Sequence, residues 1–256
     1  MHIFSENEGI DVRTNKLSDK KEFEAFIALK ADLVVVIAYG QIIPEMYLKI
    51  PNLIFLNVHA SLLPKWRGAA PIERAILSKE SETGISIMKI EKKLDAGPFI
   101  KQVKVKIDKD STSGELVKKL SIIGAEALKE SIDLVSLKKA NFIKQNEKEA
   151  TYANKIEKSE SEIKWNLSAN KIVSKINALN PSPGAWFYHK GTRLKIIQAE
   201  VSDLKGVAGK ILDDKLIIGC LKSSLKVKLI QKEGKKILNT KEFLSGYKIK
   251  KNDVLN

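Results

Sequence analysis

The stretch Leu53-Ile54-Phe55-Leu56-Asn57-Val58-His59 decides the fold. Its first four residues are apolar, as in a buried strand, and polar side chains appear only at its end. A second run, Leu33 to Tyr39, is rich in β-branched residues, and we expect it to be buried on both faces of a parallel sheet. Helical patterns at Glu22–Lys30 and Ala69–Ser78 alternate with these strands. The alternation predicts an α/β domain with an open, mostly parallel, Rossmann-like sheet.

The pattern continues to about residue 140. Two more strands are predicted at Gly84–Ile90 and Phe99–Ile107. Thr112 and Glu115 have the spacing of a capping box, which predicts a long helix directly after Thr112.

The second half of the chain has a different sequence pattern. Residues 141–162 are polar and charge-rich, as in a linker, and Ser168 is placed to cap a short helix. Short alternating segments then predict strands at Ala185–Tyr188, Arg193–Val201, Val207–Leu212, Leu216–Leu221 and Leu225–Gln231. We therefore predict a domain at 1–153 and a small OB-like β-barrel domain at 154–256.

The positive charge is concentrated in the predicted barrel. The whole chain has a formal net charge of +14, and residues 154–256 hold 21 Lys and Arg against 10 Asp and Glu, a net charge of +11. Such an excess is typical of a surface that binds a polyanion. A nucleic acid is a better candidate for that partner than an anionic membrane. A lysine-rich composition would give the same excess, so the charge alone leaves both interpretations open.

Several classes of protein are excluded by composition. No apolar run reaches the roughly 18 residues of a membrane span, and the first residues lack the order of a signal peptide. The single cysteine, Cys220, cannot form an internal disulfide, and we expect it to be a small buried residue in a strand. None of the three histidines, His2, His59 and His189, has a ligand-like neighbour, so no metal is expected. A reduced, cytoplasmic setting fits these features.

Candidate catalytic groups lie at the end of the first quoted strand. Asn57 and His59 are two residues apart, so their side chains share one face, at the carboxyl end where open α/β sheets bind ligands. A histidine moves protons near neutral pH, and an asparagine amide donates to an oxyanion. Asp95, in the turn Leu94-Asp95-Ala96-Gly97, would supply a carboxylate. By spacing alone, the same residues equally fit a hydrogen-bonded strand end and an ordinary turn.

A longer motif carries a family resemblance. The segment from Asn57-Val-His59-Ala-Ser61-Leu-Leu-Pro64 through Lys-Trp66-Arg67-Gly-Ala-Ala-Pro71 resembles the signature of folate-dependent formyltransferases, and Leu94–Gly97 resembles their second signature. The Trp66–Pro71 continuation is similar to the branch of the family that acts on methionyl-tRNA. The likeness extends through Leu33–Gln41, Glu162–Trp165 and Asn180–Trp186, and so covers essentially the whole chain.

The resemblance implies transfer of a formyl group from 10-formyltetrahydrofolate to the amino group of initiator methionyl-tRNA, without a metal or a covalent enzyme intermediate. Asn57 would polarise the formyl carbonyl, His59 would move protons, and Asp95 would fix His59. The implied monomer would bind folate and tRNA with three groups of residues. These are a folate loop of Ser61, Leu62, Leu63 and Pro64; a pterin pocket of Ile37, Ala38, Tyr39, Gly40 and Ile42; and tRNA contacts at Arg67, Lys195, Lys226 and Lys228, with Trp66 near the acceptor end.

One departure from the family pattern leaves alternatives open. Members of the family begin with a Gly-Thr-Pro-x-Phe-Ala strand, a helix, a second strand and a basic loop, and nothing similar precedes Met1–Gly9, which is typical of the end of a helix. We therefore expect either a misassigned start or a fragment that needs a partner. The alternatives are formyl transfer to a small amine such as an amino-sugar nucleotide, a hydrolytic deformylase, and an inactive RNA-binding remnant.

Overall fold

A computed structural model describes residues 2–255. The first half contains α1 (His2–Asn7), α2 (Lys20–Ala28), β1 (Leu33–Val36), α3 (Glu45–Leu48), β2 (Ile54–His59), β3 (Arg67–Gly68), α4 (Pro71–Leu77), β4 (Glu82–Lys89), β5 (Phe99–Lys106) and α5 (Ser113–Ser136). Strand β6 (Tyr152–Ala153) closes the first half. The second half, from residue 154, contains α6 (Ala169–Ala178), β7 (Ala185–His189), β8 (Thr192–Ser202), β9 (Ile217–Gly219), β10 (Ser224–Lys232), β11 (Ile237–Asn239) and α7 (Thr240–Gly246).

The first sheet has the strand order β1-β2-β4-β5. β1 and β2 are parallel, with Val36 opposite Asn57, whereas β2 pairs with β4 and β4 with β5 in antiparallel fashion. The α/β prediction is confirmed, but the sheet is not mostly parallel, since two of these three pairings are antiparallel. Leu56, Ile85 and Ile87 of this sheet pack against Leu116 and Leu120 of α5 in the first core.

Helix α5 begins where the capping pattern predicts. Thr112 accepts a hydrogen bond from the backbone N–H of Glu115, and the Glu115 carboxylate accepts one from the N–H of Thr112. These reciprocal bonds satisfy N–H groups that the first turn of a helix leaves unpaired. The hydrogen bond from the Thr112 backbone N–H, followed by one from the Thr112 hydroxyl, lowers the pKa of Glu115.

The second half folds around its own core. β11, β10, β8 and β7 form a curled antiparallel sheet, with β9 added against β10. Alternate residues of β7 point inward, so Ala185 and Phe187 are buried with Ile172 of α6 and Val227 of β10. This curled half-barrel confirms the predicted β-rich second fold.

The two halves are joined through the start of α5. Ser113 Oγ donates to the carbonyl oxygen of Asn180 at 2.7 Å, and the Gly114 N–H donates to the same oxygen at 3.0 Å. A Cβ atom at Gly114 would lie 2.6 Å from Cδ of Pro181, so glycine permits this close approach. Ala178 of α6 is buried in the first core, which continues the contact.

Four details differ from the sequence predictions. β1 is at the sheet edge and Val35 is 36% exposed, so the expected burial on both faces is wrong. The predicted strand at 207–212 forms only isolated bridges, at Lys210 and Ile211. Helix α7 was not predicted, although Asn239 and Glu242 form a capping box at its start. Cys220 is buried as expected, but it directly follows β9 and is not inside a strand.

Within residues 2–255, no helix is both long and apolar enough to cross a membrane.

Candidate active site

The carboxyl end of β2 presents the two polar residues that the sequence singles out. Asn57 is half-buried, and its side-chain amide forms no hydrogen bond within the described part of the chain. His59 is buried, with 6% of its surface exposed. Since side chains two apart on a strand share one face, an available amide and an imidazole lie side by side.

The His59 ring is held by the backbone of Trp66. Its Nε2 atom lies 2.8 Å from the Trp66 carbonyl oxygen. Because a carbonyl oxygen only accepts, Nε2 carries the hydrogen, and the lone pair of the neutral ring is on Nδ1. Nδ1 lies 3.6 Å from Oδ2 of Asp95, which is too long for a hydrogen bond. The structure thus brings the predicted His59–Asp95 pair together within ion-pair distance, while the hydrogen bond that orients the ring is made to Trp66.

Asp95 is held in an uncommon backbone conformation. Its φ angle is +47°, in the left-handed region that non-glycine residues rarely adopt and that aspartate tolerates better than most. Its Oδ2 atom accepts a hydrogen bond of 2.8 Å from the Gly68 N–H. The carboxylate therefore faces the imidazole across a short gap while anchored to the loop that begins α4. Such a pair can receive a proton on Nδ1 and stabilise the resulting imidazolium.

The predicted folate loop is held from behind by residues that the sequence analysis missed. Ser86 of β4 donates from Oγ to the Ser61 carbonyl at 2.7 Å and accepts from the Leu63 N–H at 3.1 Å. Gln102 of β5 donates to the Leu63 carbonyl at 2.8 Å and to Ser86 Oγ at 2.9 Å. The sequence does contain one signal for this role: Ser86 is a polar residue within the buried part of β4, and a buried hydroxyl needs a hydrogen-bond partner.

For two residues of the loop, these bonds and their burial limit what the side chain can contact. Ser61 is fully buried and donates from Oγ to the Lys65 carbonyl at 2.6 Å, and the side chain of Leu63 is also buried. Their side chains therefore stabilise the loop and are not available to a ligand. Leu62 and Pro64 are half-buried.

The predicted pterin-pocket residues form an exposed apolar surface. Ile37 is 59%, Tyr39 42% and Ile42 91% exposed, and Ala38 and Gly40 are also exposed. Within residues 2–255, the structure does not enclose them in a pocket with the Asn57–His59 pair.

Arg67 does not lie on the surface, so the predicted tRNA contact is wrong for this residue. Its side chain is 0% exposed, and its Nη2 atom lies 2.7 Å from Oε1 of Glu147. Its Nε and Nη2 atoms also donate to Oε1 of Gln145, at 3.0 and 2.8 Å. The hydrogen bond to Glu147 raises the pKa of Arg67, and the bonds from Arg67 and Lys93 lower the pKa of Glu147 to about 2.

Residues 143–153, the strap, cross the site although they were predicted as part of a linker. Strand β6 of the strap pairs in parallel with β3, so Tyr152 lies opposite Arg67 and Ala153 opposite Gly68. Thr151 accepts from the Trp66 N–H through its hydroxyl at 2.9 Å. The strap thereby fixes the backbone that orients His59 and anchors Asp95.

The three predicted tRNA-binding lysines of the second half are half-exposed, as strand alternation predicts. Lys226 and Lys228 both lie 2.9 Å from Oε1 of Glu200, which partly neutralises them. Lys195 lies opposite Trp186 of β7 and Gln231 of β10.

Among the described residues, no group of three or more His, Cys, Asp or Glu side chains has an arrangement suited to a metal ion.

The first and second halves of the chain each match a protein family. The family described as formyl transferase matches residues 1–132, and the formyl transferase C-terminal domain matches residues 155–248. Together with the polar end of β2, these matches define the class of the protein as a formyl transferase.

Curated relatives show which kind of formyl transferase the chain resembles. The chain is 48% identical over 253 residues to a methionyl-tRNA formyltransferase of Pelagibacter ubique, covering 97% of this chain and 81% of the relative. It is 41% identical over 257 residues to that of Paramagnetospirillum magneticum, covering 100% of this chain and 84% of the relative. The solved structure of WlaRD, a sugar 3N-formyl transferase, has a similar fold, with a TM-score of 0.69 and 20% identity over 92% of this chain and 82% of that one. The chain belongs to the methionyl-tRNA formyltransferase family.

Proposed function

We infer that this chain transfers a formyl group from 10-formyltetrahydrofolate to the free amino group of initiator methionyl-tRNA. The observation that supports this most directly is the unpaired amide of Asn57 beside the His59–Asp95 pair. A reaction at a carbonyl carbon needs a donor to the oxygen and a base for the amine proton, and this strand end offers both.

The residues fit a folate in two respects. The Asn57 amide has no partner within the described chain and suits a carbonyl oxygen, and Ile37, Tyr39 and Ile42 offer an exposed apolar surface to a ring system. The bound folate would supply an activated formyl group. Ser61 and Leu63 would shape the loop beside it, and Leu62 and Pro64 would contact it.

We assign a separate task to each catalytic residue. Asn57 donates its amide N–H to the formyl oxygen, where negative charge develops. The amine nitrogen bonds to the formyl carbon while the bond from that carbon to the folate nitrogen breaks. His59 accepts the amine proton on Nδ1, because Nε2 donates to the Trp66 carbonyl, and it returns this proton to the leaving folate nitrogen. Asp95 stabilises the resulting positive charge across the 3.6 Å gap.

The second half is proposed to bind the tRNA backbone. Its net charge of +11 and the half-exposed Lys195, Lys226 and Lys228 support electrostatic attraction to phosphates. We place the boundary between the catalytic and tRNA-binding domains between residues 153 and 154. We also propose a monomer that acts in the cytoplasm, where aminoacyl-tRNA is used.

The alternative of a small amine acceptor has weaker support. The sugar formyl transferase shares 20% of its residues with this chain, a likeness that concerns the fold. The basic second half and the closer curated relatives favour a tRNA acceptor.

The test is an assay of this chain with methionyl-tRNA and 10-formyltetrahydrofolate. Formyl-methionyl-tRNA, detected by acid gel or mass spectrometry and lost in Asn57→Ala, would support the proposal. Formylation of an amino-sugar nucleotide alone would indicate a small-amine formyltransferase. Release of formate without an acceptor would indicate a hydrolytic deformylase. Binding of tRNA without any product would indicate an inactive remnant.

A further inference from the structure

Gln145 of the strap connects a buried arginine to the turn that carries Asp95. Its Oε1 atom accepts two hydrogen bonds from Arg67. Its Nε2 atom donates to the carbonyl oxygens of Asp95 at 2.8 Å and Gly97 at 2.7 Å. The amide thus donates two bonds and accepts two, and the opposite chemistry of its neighbours allows only this orientation.

At the other end of this connection, Arg67 is bound by a carboxylate. Arg67 is fully buried and needs partners for its charge, which Glu147 supplies through two bonds of 2.7 and 3.2 Å. Glu147 also binds Lys93, two residues before Asp95. The strap therefore holds the turn through the Lys93 side chain and two backbone carbonyls.

The turn itself depends on support from outside. Asp95 has a positive φ angle, and a Cβ atom at Gly97 would lie 1.8 Å from the Lys89 carbonyl oxygen. A backbone conformation of this kind persists only where its surroundings determine it. Gln145 holds the backbone of Asp95, while Gly68 holds its carboxylate.

We propose that Gln145 is a positioning residue, which sets the place of the Asp95 carboxylate relative to Nδ1 of His59. This inference rests on the proposed function, because the distance matters to a reaction in which His59 gains a proton. Gln145 lies about 50 residues from Asp95 in sequence and outside both signature motifs.

The test is Gln145→Glu in the full chain. The substitution keeps the length of the side chain and an acceptor for Arg67, but it replaces the donor with an oxygen that faces two carbonyl oxygens. We expect kcat to fall by about tenfold to hundredfold, the effect of a misplacement near 1 Å. The KM values for folate and tRNA should change by less than about twofold, since neither ligand contacts Gln145 in the proposal. The matched control is Asn146→Ala, which removes the cap bond to the Lys148 N–H in the same strap without touching Asp95.

A second measurement separates this proposal from the proposed function. The imidazole NMR signals of His59 should shift in Gln145→Glu. Those of His189, which is buried in the second half of the chain, should not. If the wild-type chain forms no formyl-methionyl-tRNA, the proposed function fails and the NMR signals still decide the role of Gln145. Unchanged His59 signals, or kcat equal to wild type, would overturn it. If Gln145→Glu does not fold, Gln145→Asn, which is too short to bridge Arg67 and Asp95, gives the same test.

Discussion

Nδ1 of His59 lies 3.6 Å from Oδ2 of Asp95, while Nε2 of the same ring lies 2.8 Å from the carbonyl oxygen of Trp66. The ring is therefore oriented by a neutral backbone group, and the carboxylate remains available to respond to its charge. A proton arriving at Nδ1 would convert the gap into a charge-assisted contact. We therefore expect the negative charge of Asp95 to stabilise the protonated ring. This effect can be tested without removing the hydrogen bond between Asp95 and Gly68.

Asp95→Asn is expected to lower kcat by about 10²–10⁴, the range associated with a lost acid–base partner. The amide oxygen of the new residue can still accept from the Gly68 N–H, so the turn and the thermal midpoint should be preserved. Steady-state kinetics with methionyl-tRNA and circular dichroism would check both. A variant with wild-type kcat would show that the charge of Asp95 has no catalytic role.

Asn57→Ala and His59→Ala should each lower turnover by about 10²–10⁴, because each removes a group that acts on the reacting atoms. Folate affinity should change little, since the proposed pterin contacts are on the segment after β1. Single-turnover formylation and equilibrium folate binding measure the two effects separately. Losses smaller than about tenfold at both positions would mean that this polar strand end is structural.

The parts of the site that could be predicted are those determined by local sequence. Alternation within β2 is enough to place Asn57 and His59 on one face, and the spacing of Thr112 and Glu115 is enough to start α5. Both inferences use residues fewer than five apart, where backbone geometry fixes the neighbours.

The remaining parts depend on contacts between distant residues. No local pattern indicates that Tyr152 pairs with Arg67, or that Gln145 binds the Asp95 carbonyl. The family resemblance implies a tRNA contact for Arg67, and no local pattern indicates that Gln145 and Glu147, about 80 residues further along the chain, permit its burial. A polar strap is read as a linker for the same reason, since its bonds run to residues far away in the chain.

Lys195, Lys226 and Lys228 changed together to glutamate should raise the KM for tRNA and flatten the dependence of binding on salt by about one unit for each lost phosphate contact. The folate KM should not change. If the triple variant keeps the wild-type KM and salt dependence, the tRNA binds elsewhere and the charge reflects composition.

Glu200→Gln should act in the opposite direction. It frees Lys226 and Lys228 from a carboxylate that both contact at 2.9 Å, so tRNA affinity and its salt dependence should increase. Binding measured over a series of salt concentrations reports both quantities. Weaker binding in Glu200→Gln would mean that Glu200 holds these lysines in the orientation that binds.

Cys220 should react slowly with thiol reagents in the folded protein. Burial raises the pKa of its thiol to about 11, so at pH 8 only about one molecule in a thousand carries the reactive thiolate. Alkylation should be slow in buffer and complete within the ordinary time of a free cysteine in denaturing urea. Equal rates in the two conditions would contradict the buried position beside β9.

Glu160→Gln should make the chain less stable at neutral pH and less sensitive to acid. The Glu160 carboxylate forms two bonds with Arg74 of α4, at 2.7 and 2.9 Å, and these hydrogen bonds lower its pKa from 4.5 to about 2. A group with a lowered pKa in the folded state contributes stability that is fully present above pH 4.5 and is lost as the pH falls toward 2. The thermal midpoint of Glu160→Gln should therefore lie below that of wild type at neutral pH, and the two midpoints should converge between pH 4.5 and 2. Glu126→Gln, an exposed change on α5, should follow the wild-type curve throughout. A constant difference between Glu160→Gln and wild type across this range would show that the ion pair with Arg74 is not the source of the acid sensitivity.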